Sequence, residues 1–316
     1  MNIYNDLSQI EKKRYVVTVG MFDGIHKGHQ HLIHVMKQKA RELRLETMVF
    51  TFDIHPKRVL HSDPPKKILT KDDRTEIFRA LGVDNVVFSS FNKEIAHMSA
   101  TEFVEKVFVE KLNVAAVIIG DNHRFGNKQQ GDYHFLEKIS EKYGFDVCRV
   151  SHVLYDDKRI SSTWIRQTIL QGKLRLTREL LDRFYFIKGI VVNGDGRGGD
   201  LGFPTANLDD IETKLPFDGI YSSFVEYGGR KMPAMTYIGY SPTFDGEKRK
   251  VEVHIFDFDE KIYGEEIKVY FVAKIRDDAK FDNIEDLKRK LMIDKNITLN
   301  ILADEDLLFE APISMR

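Results

Sequence analysis

The chain has 316 residues, 42% of them hydrophobic and 31% charged, which suggests two domains, or one large one, with substantial cores and a charged surface. With 48 basic and 49 acidic residues the formal net charge is -1, so nothing global argues for nucleic acid or an acidic membrane as partner. The lone cysteine, Cys148, excludes an intrachain disulfide and suits a reducing cytosol; with no signal-peptide core and no bilayer-length apolar run, a cytoplasmic protein without a membrane partner is expected.

Tyr15 to Val19 (YVVTV) is a run of β-branched and aromatic residues, as expected of a strand buried on both faces. Gly20 breaks the run, and Asp23, Gly24 and Gly28 give a tight turn that lets backbone approach a ligand closely. From about Lys27 the pattern becomes helical, with Leu32, Ile33, Val35 and Met36 at helical spacing. A strand that turns over glycines into a helix N-terminus makes an anion site, because first-turn N–H groups lack partners and the dipole favours phosphate. His26 and His29, three apart, lie where this helix begins and can point the same way. Neither GxGxxG nor GxxxxGKS/T is present; the residues read G-x-F-D-G-x-H-x-G-H. That pattern resembles the HxGH signature of the nucleotidylyltransferase superfamily, which joins a nucleoside triphosphate to a phosphate-bearing acceptor and releases pyrophosphate. The resemblance implies histidines that stabilise charge on the triphosphate during in-line attack.

Further along, Glu46 to Phe52 reads as a second buried strand that delivers Asp53, His55 and Pro56 at its C-terminal end, where ligands of open α/β sheets bind. Lys57 and Arg58 follow, on a loop or against phosphate. Pro64, Pro65, Lys66 and Lys67 suggest a flexible loop over the site, after which Thr70 caps a helix with Asp72 and Asp73 in its first turn. Val86 to Phe88 is a third strand, Ser99 with Glu102 a capping box for a helix ending near Leu112, and Val114 to Ile119 a fourth buried strand. This last strand ends in Gly120-Asp-Asn122-His123-Arg124-Phe-Gly126. A helix from about Tyr133 to Lys142 and a strand from Phe145 to His152 follow. Repeated strand–helix order marks a doubly wound parallel sheet. Ser161, Ser162 and Thr163 open the next helix; such hydroxyls ordinarily act as caps, and with Arg166 one turn on they can also hold a triphosphate.

GMFDGIHKGH, GDNHRFG and ISSTWIR, in this order and spacing, look like the FMN adenylyltransferase module of bacterial bifunctional riboflavin kinase/FAD synthetases. The resemblance implies a Rossmann-like nucleotidylyltransferase domain in which His26 and His29 bind ATP phosphates and Gly24 and Gly28 shape the turn. Ser161, Ser162, Thr163 and Arg166 would grip the triphosphate, with Asp23, His55, Asn122 and Arg124 toward the flavin or its phosphate. One departure is His123, where the family usually carries an aromatic residue, commonly phenylalanine.

A helical stretch from Ile165 to Leu181, interrupted near Gly172, leads out of this domain, and the boundary is placed at Arg183: residues 1–183 and 184–316. Beyond it short strands and turn glycines dominate, as in an antiparallel barrel, with one helix near the end. Tyr185 to Val192 leads into a glycine-rich loop, Gly194, Gly196, Arg197, Gly198 and beyond, followed at once by Phe203-Pro-Thr205-Ala-Asn207. Glycine N–H groups can line a phosphate nest, and a Thr hydroxyl and Asn amide oxygen are suitable hard ligands for Mg2+. GFPTANL resembles the PTAN motif of riboflavin kinases, which implies Mg2+ on Thr205 with Asn207 beside it. It also implies ATP under Gly194, Gly196 and Gly198, with Arg197 as the basic contact because Gly199-Asp200 stands where many relatives carry arginine. Tyr227 to Arg230 makes a hairpin turn, Met232 to Tyr237 a strand and Gly239 to Phe244 a loop. Lys248 to Lys250 reads as a solvated turn, and Lys250 to Phe258 as a strand with Glu252, His254 and Phe256 on one face. By resemblance Glu252 is the general base that takes the ribityl 5′-hydroxyl proton. Glu265 to Ala273 is the last long strand and Asn283 to Met292 an amphipathic helix with Leu287 and Leu291 inward; the tail from Ile301 carries no readable pattern.

The resemblance spans nearly the whole chain and implies a two-step enzyme of FAD biosynthesis, acting on riboflavin, FMN and ATP. Two alternatives stand beside it: a nucleotidylyltransferase for another phosphorylated acceptor, and a catalytically silent flavin-binding regulator. Homo-oligomerisation is left open.

Overall fold

The computed structural model describes residues 1–53, 65–194, 197–243, 246–281 and 283–309, and divides into two compact units, Met1–Ser162 and Thr163–Arg316. His55, Lys57, Arg58 and Gly196 lie outside the described residues, as does the side chain of Arg197.

The first unit is built on a six-stranded parallel sheet in the order β1-β4-β3-β2-β5-β6. Its strands are β1 Asn2–Tyr4, β2 Tyr15–Val19, β3 Glu46–Phe52, β4 Asn85–Ser89, β5 Val114–Gly120 and β6 Asp146–Val150, followed by a separate two-stranded hairpin, β7 Leu154–Tyr155 and β8 Lys158–Arg159. All five residues of β2 are buried because the strand lies between β3 and β5 in the middle of the sheet. The short β1 extends the sheet beside β4, and three residues are too few to show a period in the sequence. The connecting helices are α1 Lys27–Leu43, α2 Lys71–Ala80, α3 Lys93–His97, α4 Ala100–Phe103 and α5 Tyr133–Tyr143. The expected caps form: Thr70 and Asp73 make a capping box on α2, and Ser99 and Glu102 make one on α4. Beyond Phe103 the helix widens to a π-helix over Val104–Lys111. From β2 the chain passes outward through β3 to β4, then returns to place β5 on the other side of β2. This reversal opens a crevice at the C-terminal ends of β2 and β5, the place where open α/β sheets bind ligands.

At the division the chain enters α6 Ser162–Leu170; the second unit continues through α7 Leu174–Leu181 and closes six antiparallel strands into a barrel in the order β10-β13-β12-β11-β14-β9. These are β9 Tyr185–Val192, β10 Ala206–Asp209, β11 Gly219–Tyr227, β12 Arg230–Thr243, β13 Gly246–Ile255 and β14 Glu266–Arg276, with a one-turn helix, α8 Arg197–Asp200, after β9. Closure removes the edge strands that an open antiparallel sheet would expose.

Three expectations are corrected here. Residues Gly239 to Thr243 are strand rather than loop: β12 and β13 run on as a ribbon as far as the Thr243–Gly246 pair, and a proline within a ribbon costs only the N–H it lacks. Lys248 to Lys250 are therefore strand too, and Arg249 is held by Asp218, its Nε donating at 2.8 Å. The last helix, α9 Ile284–Phe309, extends far past Met292. Its inward stripe includes Asp294 and Thr298, both fully buried between Leu291 and Leu302, and these polar residues interrupt the apolar period that marks a helix in sequence. Asp294 stays buried because Arg276 Nε donates to its Oδ2 at 2.8 Å. Asp294→Ala leaves the Arg276 guanidinium without that partner and should lower stability by about 3 kcal/mol, read as a fall in the melting temperature; an unchanged melting temperature would mean that the pair does not anchor α9.

Candidate functional site

In the first unit the site grows from the turn after β2. Phe22 (φ 49°) and Ile25 (φ 37°) are non-glycine residues in the left-handed region, and Gly24 (φ 91°) lies between them. Each of the two left-handed side chains costs about 1–3 kcal/mol of backbone strain, and both are fully buried, which offsets that cost and fixes the turn. Arg74 of α2, itself buried, staples the turn to the end of β3: its Nη1 donates to the carbonyls of Met21 and Phe52, each at 3.0 Å, and to Thr51 Oγ1 at 3.1 Å. A buried guanidinium satisfied by carbonyls leaves no mark in the sequence. Asp23 is likewise committed, since its Oδ1 accepts from the N–H groups of Ile68 (2.9 Å) and Leu69 (3.2 Å). The end of the expected flexible loop is thus pinned beneath the turn, with Ile68 and Leu69 buried.

His26 is the N-cap of α1, its Nδ1 accepting from His29 N–H at 3.3 Å. The two imidazoles stack with centroids 3.7 Å apart, and Phe22 packs on His29 at 5.0 Å. A Cβ on residue 28 would come within 3.2 Å of the His26 ring, so glycine there leaves His26 room at the helix end. Two imidazoles fixed at the positive end of a 17-residue helix form a site for negative charge. Ser162 Oγ donates to the carbonyl of Asp23 at 2.7 Å. Ser161 precedes it, whereas Thr163 and Arg166 lie in the first turn of α6, on the second unit's side of the division.

At the end of β5, Asn122 takes the amide orientation in which Oδ1 accepts from the Arg159 guanidinium. Arg124 Nη1 donates to the carbonyl of His123 at 2.9 Å and Nη2 lies 3.9 Å from Asp132. His123 stands over Phe125, its Nε2 sealed from solvent and without a hydrogen-bond partner. Desolvation, and to a lesser degree the neighbouring Arg124, pushes its pKa down to about 4.

The second unit carries another constellation. Asn207 on β10 pairs directly with Glu252 on β13, which pairs in turn with Tyr237 on β12, so the three project from one face in a row. Gly194 and Gly198 lie tightly over the same ground. A Cβ on Gly194 would sit 2.0 Å from Asn207 Nδ2; one on Gly198 would sit 2.4 Å from the Phe203 carbonyl and 3.3 Å from Thr205 Oγ1. His254, expected only as a strand residue, fixes the Pro204-Thr205 segment: its Nδ1 is 2.7 Å from the Pro204 carbonyl, and its ring packs edge-on to Phe203 at 5.2 Å. The carbonyl can only accept, so Nδ1 carries the proton, and burial holds the His254 pKa below its ordinary value. Thr205 also borders a cavity of about 320 Å3 lined by Val191, Ala206, Val253, Ile255 and Tyr263 among others. A carboxylate beside an amide oxygen and a hydroxyl, under a glycine loop, can take a proton from an alcohol and hold a metal-bound polyphosphate.

His123 generates a pH prediction. Its folded pKa lies below the ordinary histidine value of 6.5, so the unfolded chain binds the extra proton and stability is lost as pH falls from 6.5 toward 4. Between pH 7 and 4.5, urea unfolding should cost the parent at most about 3 kcal/mol more than His123→Phe. Identical pH slopes would contradict the burial of a neutral ring.

With both sites described, the comparisons with known proteins fall into register with the two units. A family profile described as FAD synthetase matches residues 8–164, and one described as riboflavin kinase matches residues 181–302. Proteins named bifunctional riboflavin kinase/FMN adenylyltransferase are 35% identical in Haemophilus influenzae (89% of this chain, 91% of that one) and 35% in Bacillus subtilis (90% and 92%). The Escherichia coli K12 protein of the same name is 32% identical over 92% of this chain and 94% of its own length. A crystal structure described as a macrolide-efflux protein from Streptococcus pneumoniae is 35% identical and superposes with a TM-score of 0.87, covering 94% of this chain and 98% of that one. Among the described residues no helix is long and apolar enough to cross a membrane. Two profiles, each matching one end of the chain, and relatives aligned across both make this chain a member of the bifunctional riboflavin kinase/FMN adenylyltransferase family.

Proposed function

We propose that the barrel phosphorylates riboflavin to FMN with Glu252 as base, and that the parallel-sheet unit adenylylates FMN to FAD with His26 and His29 on the triphosphate. The observation that supports this reading is two separate glycine turns, each with its own polar set: His26 and His29 at the start of α1, and Thr205, Asn207 and Glu252 near Gly194 and Gly198. In this reading the functional boundary lies at Arg183, so that Ser161, Ser162, Thr163 and Arg166 serve the adenylyl transfer. Asn122 and Arg124 border the acceptor side, and Asp23 acts as the anchor of the turn.

In the kinase half Glu252 accepts the proton of the ribityl 5′-hydroxyl as that oxygen attacks the γ-phosphorus of ATP, and the bond to the bridging oxygen breaks to release ADP. The backbone at Gly194 and Gly198 would meet the phosphates, and the cavity of about 320 Å3 beside Thr205 would receive the nucleoside. The residues fit Mg2+: Thr205 and Asn207 offer hard oxygen donors that would hold it, and a side chain at Gly194 or Gly198 would crowd them. When bound, Mg2+ supplies neutralisation of the charge developing on the transferring group. The adenylyl transfer needs no general base, since a phosphate oxygen of FMN is already the nucleophile. It attacks the α-phosphorus of a second ATP and pyrophosphate leaves with its electron pair. His26 and His29 counter the charge on the leaving oxygens, so positioning and electrostatics carry the rate.

Purified protein with riboflavin, ATP and Mg2+, resolved by chromatography, tests the division. Glu252→Gln should lower FMN formation about 100-fold or more while FMN-to-FAD conversion persists, and His29→Ala should do the reverse. Loss of both activities in each variant would defeat the two-site assignment. Gly194→Ala drives a methyl group into the Asn207 amide and should lower kinase kcat/KM about 10-fold or more with adenylylation unchanged; full kinase activity would show that the close approach of Gly194 to Asn207 does not matter to the reaction.

A further inference from the structure

Tyr237 has no part in the mechanism above, yet it stands beside its base. It is the direct cross-strand neighbour of Glu252, on the side opposite Asn207. The phenol end of its ring lies close over Gly239, where a Cβ would meet the phenol oxygen at 2.0 Å, and the ring packs with the cluster of Phe203, Met235 and Phe256. From that position its hydroxyl donates to Asp278 Oδ2 at 3.1 Å. The other carboxylate oxygen of Asp278 accepts from Ala279 N–H at 2.9 Å, so both oxygens of one side chain are engaged in shaping the turn after β14. The same segment is tied from behind: Arg276 Nη1 donates to the Asp277 carbonyl at 3.0 Å, and its guanidinium lies over Phe281. Burial first, then Asp278, raises the Tyr237 pKa, so the phenol keeps its proton and remains the donor.

A general base must lie within hydrogen-bond reach of the hydroxyl that it deprotonates. The riboflavin chain would therefore pass along the face that carries Glu252 and its neighbour Tyr237, whose hydroxyl reaches the turn after β14. We propose that Tyr237 is a positioning residue for riboflavin: through Asp278 it holds the 277–281 segment against the acceptor side of Glu252. The proposal rests on the reading of Glu252 as base and adds to it the residue that sets acceptor affinity.

Tyr237→Phe removes the donor and keeps the ring over Gly239. In the full-length protein the riboflavin KM should rise about 10-fold, the loss expected of one hydrogen bond to a carboxylate, with kinase kcat within about 2-fold and the KM for ATP unchanged. Melting temperature and FMN-to-FAD conversion should match the parent. Asp278→Ala should reproduce the riboflavin effect, and the double variant should be no worse than Asp278→Ala alone, because the two side chains act through one bond. An unmoved riboflavin KM in Tyr237→Phe, additive effects in the double variant, or a joint fall in kcat, both affinities and melting temperature would overturn the positioning role. Full phosphorylation by Glu252→Gln would instead remove the base on which the proposal stands; an inactive Glu252→Gln beside an unaffected Tyr237→Phe would sink the proposal alone.

Discussion

Absence of a side chain at three positions governs both sites. A Cβ at residue 28 would press on the His26 ring, one at 194 would enter the Asn207 amide, and one at 198 would strike the Phe203 carbonyl. Polyphosphate chemistry asks for main-chain N–H groups at close range, and a loop can bring them there only where nothing projects between backbone and ligand. Everything else described here holds those approaches in register. Buried Phe22 and Ile25 fix the first turn at a backbone cost of about 1–3 kcal/mol each, against about 1.5–3 kcal/mol gained from burying each side chain. His254 and Phe203 fix the second from below.

The two units solve the problem with different scaffolds. In the parallel sheet the reversal of strand order between β2 and β5 creates the crevice, and the helix that begins at Lys27 supplies a positive end. In the barrel the polar groups come from adjacent strands, where pairing puts Asn207, Glu252 and Tyr237 side by side. On the proposed reading, reaction type follows the scaffold. Stacked imidazoles at a helix end suit a step whose nucleophile is already ionised, and a strand carboxylate suits one whose nucleophile is an alcohol.

Much of this was legible in the residues because the relevant signals are local. The buried run Tyr15–Val19, the glycines after it and the HxGH spacing announce strand, turn and helix within one short stretch. The same holds for the caps at Thr70 and Ser99 and for the alternation around Glu252. What escaped depends on partners far away in sequence. Arg74 acts through the carbonyls of Met21 and Phe52, His254 through the carbonyl of Pro204, and Tyr237 through Asp278, and no periodicity encodes a side chain meeting a distant backbone. The length of α9 was hidden for a related reason: buried Asp294 looks like a surface residue until Arg276 is seen beside it.

The central claim is that one polypeptide holds two distinct nucleotide sites. Calorimetric titration of the full-length chain with a non-hydrolysable ATP analogue and Mg2+ measures this directly. Two analogue molecules bound per chain are predicted; saturation at one per chain would contradict the account.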